Sequence, residues 1–571
     1  MIILGFHPGY HDGAAAVYDE YRLVAAVALE RLTRRKGDGG GVPQACIDEV
    51  LDIAGVARGD VGAVVVTRTA LPWRYYTHFR GGRYAEGKVR QWLGKEKLKD
   101  MTLELRRAGT SAAGDIFDAP KFLTDHGFRA DAALRFCNHH FAHALPAIFF
   151  TDWDDALIYT ADGGGDHVQY SQHVLRDGTL STLYGDDSTF LDEKRIDSLG
   201  LAYGYATQAL GYRINRHEGK LTGLAGYGTP SLYDEFAAHF NLDDDGQIHS
   251  DFASFPDMKR FIFELAEDRE PADVAASVQQ LLEDMVLASV RRLLERHPVR
   301  HLGLSGGVFA NVRLNRLLAE STDVDEVFVV PPMGDDGLSI GGPLDFLLSR
   351  DGLKEWLARR YRLTDVYLGR DYGARVDDAL GGAPGIAFSE GNPAEEAARR
   401  LTGGEAGAIY AGRMEFGPRA LGARSILASP ADPRINDVLN RRLQRTEFMP
   451  FAPVVTEADA AEVFEIGRLN RYAGRFMTIT CAVKDAWRER IPAVVHVDGT
   501  ARPQLIERER NPLYFDILAA FKAATGLPVL INTSFNVHEE PIVNRPEECL
   551  RALTDGRIDF CVTDRGIYAP A

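Results

Sequence analysis

A chain of 571 residues is too long for one hydrophobic core, and a composition of 45% apolar and 26% charged residues is that of a folded protein of two or three domains. A net charge of −17 excludes broad non-specific binding to nucleic acid, although a local basic patch can still hold an anion. Cys46, Cys137, Cys481, Cys549 and Cys561 form no C-x-x-C pair, which excludes a disulfide framework or a cysteine zinc site and reads as reduced thiols in a cytoplasm.

The chain opens on Met1-Ile2-Ile3-Leu4-Gly5-Phe6, a strand entering a glycine-rich turn that runs from Gly5 to Ala15 and contains His11 and Asp12. No basic segment precedes a long apolar run, and no apolar run reaches the length of a membrane span, so neither a signal peptide nor a membrane anchor is expected. A strand follows at Ala63-Val64-Val65-Val66-Thr67. Between Trp73 and Arg107 basic residues outnumber acidic ones, with Trp73, Tyr75, Tyr76, Tyr84 and Trp92 interleaved. This segment is either a solvated helical face with packed aromatics or the wall of an acceptor site.

Asn138-His139-His140-Phe141-Ala142-His143 comes next. On a helix, His139 and His143 at i,i+4 share one face, where one metal ion can bridge both imidazoles, whereas His140 points elsewhere. The strand Ala156-Leu157-Ile158-Tyr159-Thr160 then leads into Asp162-Gly163-Gly164-Gly165-Asp166, a second glycine-rich turn, with Asp162 a candidate further ligand. Apolar residues at mixed three- and four-residue spacing predict a long helix from about Pro271 to His297. His301-Leu302-Gly303-Leu304-Ser305 is a strand before a third glycine-rich turn, Gly306-Gly307 to Asn311, and Val327-Phe328-Val329-Val330 is another strand. Glycine turns let backbone N–H groups close around phosphate oxygens, so three of them point to a nucleotide clamp. In Met333-Gly334-Asp335-Asp336-Gly337, either aspartate can close the metal site. Two imidazoles with carboxylates suit iron, manganese or another borderline cation better than structural zinc.

Charged residues from Arg350 to Arg362 separate this half from one that restarts at Val366, so the expected domains are 1–355 and 366–571. Strands alternate with helices, which means α/β layers, and no internal repeat or low-complexity tract is evident. The second half is built for anions. Arg419, Arg424 and Ser425 stand among small residues in Gly417-Pro418-Arg419-Ala420-Leu421-Gly422-Ala423-Arg424-Ser425; Arg441, Arg442, Arg445 and Arg502 follow, and Asn532-Thr533-Ser534-Phe535-Asn536 offers hydroxyl and amide donors.

These motifs, in this order, resemble the O-carbamoyltransferases related to nodulation protein U and to the antibiotic carbamoyltransferases of tobramycin, cephamycin and ansamycins. The resemblance spans essentially the full length. It also rests on Glu30-Arg31 with Thr33-Arg34, Glu218-Gly219-Lys220-Leu221-Thr222-Gly223-Leu224, Pro450-Phe451-Ala452-Pro453 and His496-Val497-Asp498-Gly499-Thr500-Ala501-Arg502. It implies an ASKHA-type (actin-like ATPase) N-terminal domain and a YrdC-like C-terminal one. It implies that carbamoyl phosphate and ATP form carbamoyl-adenylate, from which the carbamoyl group passes to an acceptor hydroxyl with release of AMP. By the same resemblance His139, His143, Asp162 and Asp335 hold a divalent metal, iron first and manganese or another ion next, with magnesium accompanying ATP. Asp335 is preferred to Asp336 because it stands two residues before the glycine. Gly306, Gly307 and Asn311, with Lys220, grip nucleotide; Arg419, Arg445, Ser534 and Asn536 neutralise phosphates, and Arg424, Ser425 and Arg502 are secondary candidates. Asp12 orients or deprotonates the acceptor hydroxyl, so Asp12, His139, Asp162 and Arg419 form the expected catalytic set.

The expected partners are carbamoyl phosphate, ATP and a small hydroxyl-bearing acceptor, without nucleic acid or membrane; a homodimer is compatible with this reading. Two departures from the family pattern stand out. Asp12-Gly13-Ala14-Ala15 lacks the usual serine, and Leu443-Gln444-Arg445-Thr446-Glu447-Phe448-Met449-Pro450-Phe451 keeps one basic residue, Arg445, for which Arg441 or Arg442 can compensate. Alternatives are threonylcarbamoyl-type transfer to a macromolecule, a nucleotide-binding scaffold, and a metal-dependent hydrolase, which needs a general-base Glu where His140 stands.

Overall fold

The computed structural model describes residues 1–68, 70–76, 98–100, 117–187, 189, 195–445 and 449–571. Most of the basic-aromatic segment Trp73–Arg107 lies outside the described residues, as do Thr446, Glu447 and Phe448. The chain divides into two compact units, each assembled from three segments: Met1–Gly200 with His297–Val308 and Pro332–Leu363, and Leu201–Arg296 with Phe309–Pro331 and Thr364–Ala571. One division falls between residues 363 and 364, and Leu201–Arg296 and Phe309–Pro331 group with the C-terminal segment.

In the first unit, the runs Ile2–His7, Ala14–Asp19 and Val61–Val66 are buried almost throughout, as strands covered on both faces must be. They join Arg22–Ala28 and Ala133–Phe136 in a five-stranded sheet, order third, second, first, fourth, fifth in the chain. The helix Gln44–Ala54 covers it by turning Cys46, Ile47, Val50 and Leu51 inward, and ends at Gly55, whose φ of 66° no other residue adopts as cheaply. A second sheet begins with Ala156–Gly165, Val168–Arg176, Thr179–Tyr184 and His301–Ser305. Its first strand pairs antiparallel with its second, the second antiparallel with the third, and the first parallel with the fourth. The first sheet has the same order and the same senses. The unit therefore contains a topological repeat that the residues themselves do not display.

Two helices of this unit pack on each other, His139–Phe149 and Leu338–Ala358. At their crossing Gly341 lies so close to the Ala142 carbonyl that a Cβ would overlap it. Two of the three glycine-rich turns join antiparallel strands. Gly163, Gly164 and Gly165 continue the strand, which folds back at Asp166 and His167, and Gly5–Ala15 also joins two antiparallel strands. Asp166 and His167 both have positive φ, 52° and 65°, as the tightest hairpins require.

The second unit contains the predicted long helix, Pro271–Arg296, with Val274, Val278, Leu281, Leu282, Val286, Val290 and Leu293 buried. Its main sheet has eight strands, in the order Ile386–Glu390, Gly566–Pro570, Phe560–Val562, Gly407–Tyr410, Arg424–Ala428, Val529–Ser534, Ala452–Thr456, Gln504–Ile506. The molecule is thus built from mixed α/β sheets. No helix among the described residues is long and apolar enough to cross a membrane.

Candidate active site

Asn138 starts the histidine helix by accepting the Phe141 N–H through its side chain at 2.9 Å, and Asp166, from the tight hairpin, accepts the His139 N–H at 2.8 Å. Both fix the first turn, from which His139 and His143 project side by side with ring centroids 4.9 Å apart. Asp162 and Asp335 meet them. His143 Nε2 is 3.3 Å from Asp162 and 3.7 Å from Asp335, while His139 Nε2 is 3.9 and 3.7 Å away. Gly165 admits the His139 ring, because a Cβ there would fall inside it.

These four residues fit a divalent cation. The ligand atoms lie within 4.8 Å of one another. An ion about 2.1 Å from each puts neighbouring donors about 3 Å apart and opposite ones about 4.2 Å apart. Both ring nitrogens of His139 and Nε2 of His143 are buried without a hydrogen-bond partner. Ser305 Oγ stands 3.4 Å from His143 Nδ1, which lets that nitrogen carry the proton and frees Nε2 as a ligand. Electrostatics point the same way. Burial alone would lower the His143 pKa, but the Asp162 and Asp335 carboxylates raise it to about 9. Burial and mutual repulsion oppose ionisation of Asp162, yet His139 and His143 bring it below the usual carboxylate range; Asp335 is likewise brought down by His139, His143 and His7 against its burial.

His140, the middle histidine, is no ligand. Its Nε2 donates to the Val168 carbonyl at 2.9 Å and its Nδ1 faces Thr160 Oγ1 at 2.9 Å, while burial, then the charges of His139 and His143, lower its pKa to about 3. Sequence reasoning missed His7, which ends the first strand fully buried with Nε2 3.5 Å from Asp335 Oδ2 and Nδ1 on the Thr67 hydroxyl at 3.2 Å. It also missed Arg68, 3.9 Å from the same oxygen. The available signal was position, since both stand at the C-terminal ends of neighbouring parallel strands. Asp12, with a φ of 54°, meets His11 Nδ1 at 2.9 Å, and that nitrogen is 4.0 Å from Asp335. Asp12 therefore reaches the cluster through His11. Asp336 is separate: its carboxyl is pushed up to about 8 by burial, then by Asp12 and Glu30.

Other expected residues are occupied within the fold. The Gly307 N–H donates to Asp162 at 3.2 Å, and Gly306, at φ 99°, is a glycine because a Cβ would strike the Ala161 backbone. In the second unit, Asn311 caps the helix Val312–Ser321 and exchanges hydrogen bonds with Gln279, while Lys220 is buried on the helix Glu218–Leu224. Arg424 gives its guanidinium to the Ala411, Gly412 and Ala423 carbonyls over the Tyr410 ring, and Ser425 accepts the Gly422 N–H. Arg442 pairs with Asp559.

Arg445, Ser534 and Asn536 are brought together. Arg445 donates to Thr533 Oγ1 at 2.7 Å, to both oxygens of Ser534 at 2.6 and 3.0 Å, and to both oxygens of Asn536 at 2.8 and 2.9 Å. The Arg419 loop adjoins them, because Asn532 donates to the Ala420 carbonyl at 3.0 Å and the Phe535 N–H to the Arg424 carbonyl at 3.1 Å. Arg502 lies half-buried just after Thr500–Ala501. A further group in this unit, His217, His538 and Glu539, resembles a metal site but is tied by hydrogen bonds. His217 Nδ1 accepts the Arg213 N–H, so in the neutral ring Nε2 holds the proton it gives to Glu539 at 2.7 Å.

One unit thus carries a buried imidazole–carboxylate centre and the other an arginine-bound cluster of hydroxyl and amide groups. The model of the carbamoyltransferase N-terminus matches residues 2–344 and that of the carbamoyltransferase C-terminus residues 398–569. The chain belongs to the carbamoyltransferase family and is a carbamoyltransferase enzyme. Nodulation protein NolNO of Sinorhizobium fredii is 33% identical over 97% of this chain and 77% of its own length. Nodulation protein NolO of Bradyrhizobium diazoefficiens is 36% identical over 75% of this chain and 76% of its own. Among solved structures, component A of (R)-2-hydroxyglutaryl-CoA dehydratase from Acidaminococcus fermentans aligns with 60% of this chain and 96% of its own at 15% identity and a TM-score of 0.32, too distant to carry an argument.

Proposed function

We propose that this carbamoyltransferase is ATP-dependent and acts on a hydroxyl of a small molecule, a sugar or an antibiotic-like natural product. Water cleaves carbamoyl phosphate to carbamate and phosphate, and a carbamate oxygen attacks the α-phosphorus of ATP, giving carbamoyl-adenylate as pyrophosphate leaves; the acceptor oxygen then attacks the carbamoyl carbon, the bond to the adenylate oxygen breaks, and AMP leaves with the electron pair. The observation that carries this reading is the convergence of His139, His143, Asp162 and Asp335 in one unit and of Arg445, Ser534 and Asn536 in the other. We assign activation to the YrdC-like second site, where Arg419 and Arg445 neutralise phosphate oxygens, and transfer to the ASKHA-type first unit.

His139, His143, Asp162 and Asp335 hold the divalent cation, which when bound supplies Lewis-acid polarisation of the carbamoyl carbonyl. Asp12, steadied by His11, takes the acceptor proton. Gly306 and Gly307 accommodate nucleotide beside Asp162, and the acidic chain disfavours a tRNA acceptor.

Incubation with ATP, carbamoyl phosphate and labelled pyrophosphate, without acceptor, tests the reading. Label entering ATP only when carbamoyl phosphate is present supports adenylation; none in a folded, metal-loaded sample sinks it. His139→Ala abolishes transfer and leaves this exchange largely intact. Loss of both would defeat the division of labour.

A further inference from the structure

The backbone from Ala420 to Arg424 is bound almost atom by atom to buried side chains. Glu415, 2% exposed, points Oε1 at three backbone N–H groups and accepts from Leu421 at 2.8 Å, Ala423 at 3.0 Å and Arg424 at 3.1 Å. From the other side, Asn532 donates to the Ala420 carbonyl at 3.0 Å and to Gln504 Oε1 at 2.5 Å. Gln504 passes the polarity on, donating to the Leu421 carbonyl at 2.6 Å, where Tyr367 also donates at 2.7 Å. Asn511 takes the Gly422 carbonyl at 3.1 Å. Gly422 has a φ of 109° with the Tyr514 ring where a Cβ would stand, so the turn admits no other residue there without strain.

This arrangement is costly unless the loop conformation matters. Asn532 and Gln504 are 1% and 2% exposed, and a buried amide or carboxylate is tolerated only for its hydrogen bonds. A short turn between strands needs no such scaffold. Only two positions before its first clamped amide comes Arg419. The Asn532 amide, which the sequence offers as a phosphate donor, is already spent on this backbone.

We propose that Glu415, Gln504 and Asn532 are positioning residues that set the Ala420–Arg424 backbone, and through it the adjoining Arg419, for the phosphate of carbamoyl phosphate. The proposal rests on the adenylation reading above. They act at one remove: Glu415 gathers the amides, Asn532 and Gln504 hold the carbonyls, and the arginine that follows the loop geometry meets the anion. An Arg side chain gains most from a fixed base, because its planar fork must meet phosphate oxygens in one orientation.

A double-mutant cycle in the full-length protein tests this, read by carbamoyl-phosphate-dependent pyrophosphate exchange. Asn532→Ala raises the KM for carbamoyl phosphate about tenfold with a smaller change in kcat. In an Arg419→Ala background the same change adds less than about twofold, because its effect runs through Arg419. Additive losses mean that Asn532 meets the anion itself, and overturn the proposal. Glu415→Gln, which keeps an acceptor oxygen, loses less than Glu415→Ala; equal losses also overturn it. Amide hydrogen exchange of the 417–424 peptide supplies a readout independent of the reaction. Its protection falls in Gln504→Ala and Asn532→Ala, and unchanged protection overturns the proposal even where a variant is inactive. Absence of exchange activity in the wild type, with the loop protected and the variants deprotected, instead defeats the adenylation reading and leaves the clamp standing.

Discussion

Gly165 shows how a residue without a side chain can decide a metal centre. Its only lateral space is taken by the His139 ring. Gly165→Ala therefore displaces His139, costs about 1–3 kcal/mol in overpacking, and lowers the metal content per chain; a variant that keeps full metal content on elemental analysis would show that the ring has somewhere else to go. His173 makes a different prediction. It is buried between Ser171 Oγ at 2.8 Å and Thr182 Oγ1 at 2.9 Å, and burial lowers its pKa to about 4 against a slight opposing pull from Asp186. The folded protein thus binds its proton less readily than the unfolded chain, whose histidine titrates near 6.5. Its contribution is complete above about pH 6.5 and falls away as pH drops through 4, a loss of roughly 3 kcal/mol. Denaturant unfolding at pH 7.5 and 5 checks it: His173→Gln shrinks the difference between the two pH values, while His140, also lowered by burial, keeps part of it.

At the scale of elements, the histidine helix depends on the hairpin beside it. Asp166 has a left-handed φ and accepts the His139 N–H, so one residue both turns the hairpin and satisfies the first amide of the helix. Asp166→Ala strains the turn and removes the acceptor, a loss of about 1–2 kcal/mol. Thermal unfolding records it, and metal affinity weakens with it if the helix start positions His139. The same region marks what the residues disclosed and what they hid. His139, His143, Asp162 and Asp335 were legible because i,i+4 spacing and ordered motifs are local signals. The long helix Pro271–Arg296 was legible for the same reason. The role of Gly163–Gly165 was not legible, because a glycine run after a strand looks alike whether it cradles phosphate or admits a ring from another element. His7, Arg68 and the spent amide of Asn532 were hidden, since each acquires its role from a partner more than a hundred residues away or from a neighbouring strand.

At the scale of the molecule, the proposed cation is part of the fold's stability. It would bind a folded cluster gathered from residues 139 to 335, which the unfolded chain cannot assemble. Chelation therefore lowers Tm, and readdition of metal at a hundredfold excess over Kd restores about 2.7 kcal/mol. His143→Ala abolishes this dependence; a chelator-sensitive Tm in that variant would place the ion elsewhere.

The matching order of the two sheets lets both contribute to the centre from equivalent places. His7 and Asp162 stand on corresponding first strands, Arg68 and Gly306–Gly307 just beyond corresponding fourth strands. Corresponding places in a doubled motif thus approach one locus, yet with unlike side chains: imidazole against carboxylate, guanidinium against bare backbone. Each sheet brings what the other lacks, and neither by itself can make the site.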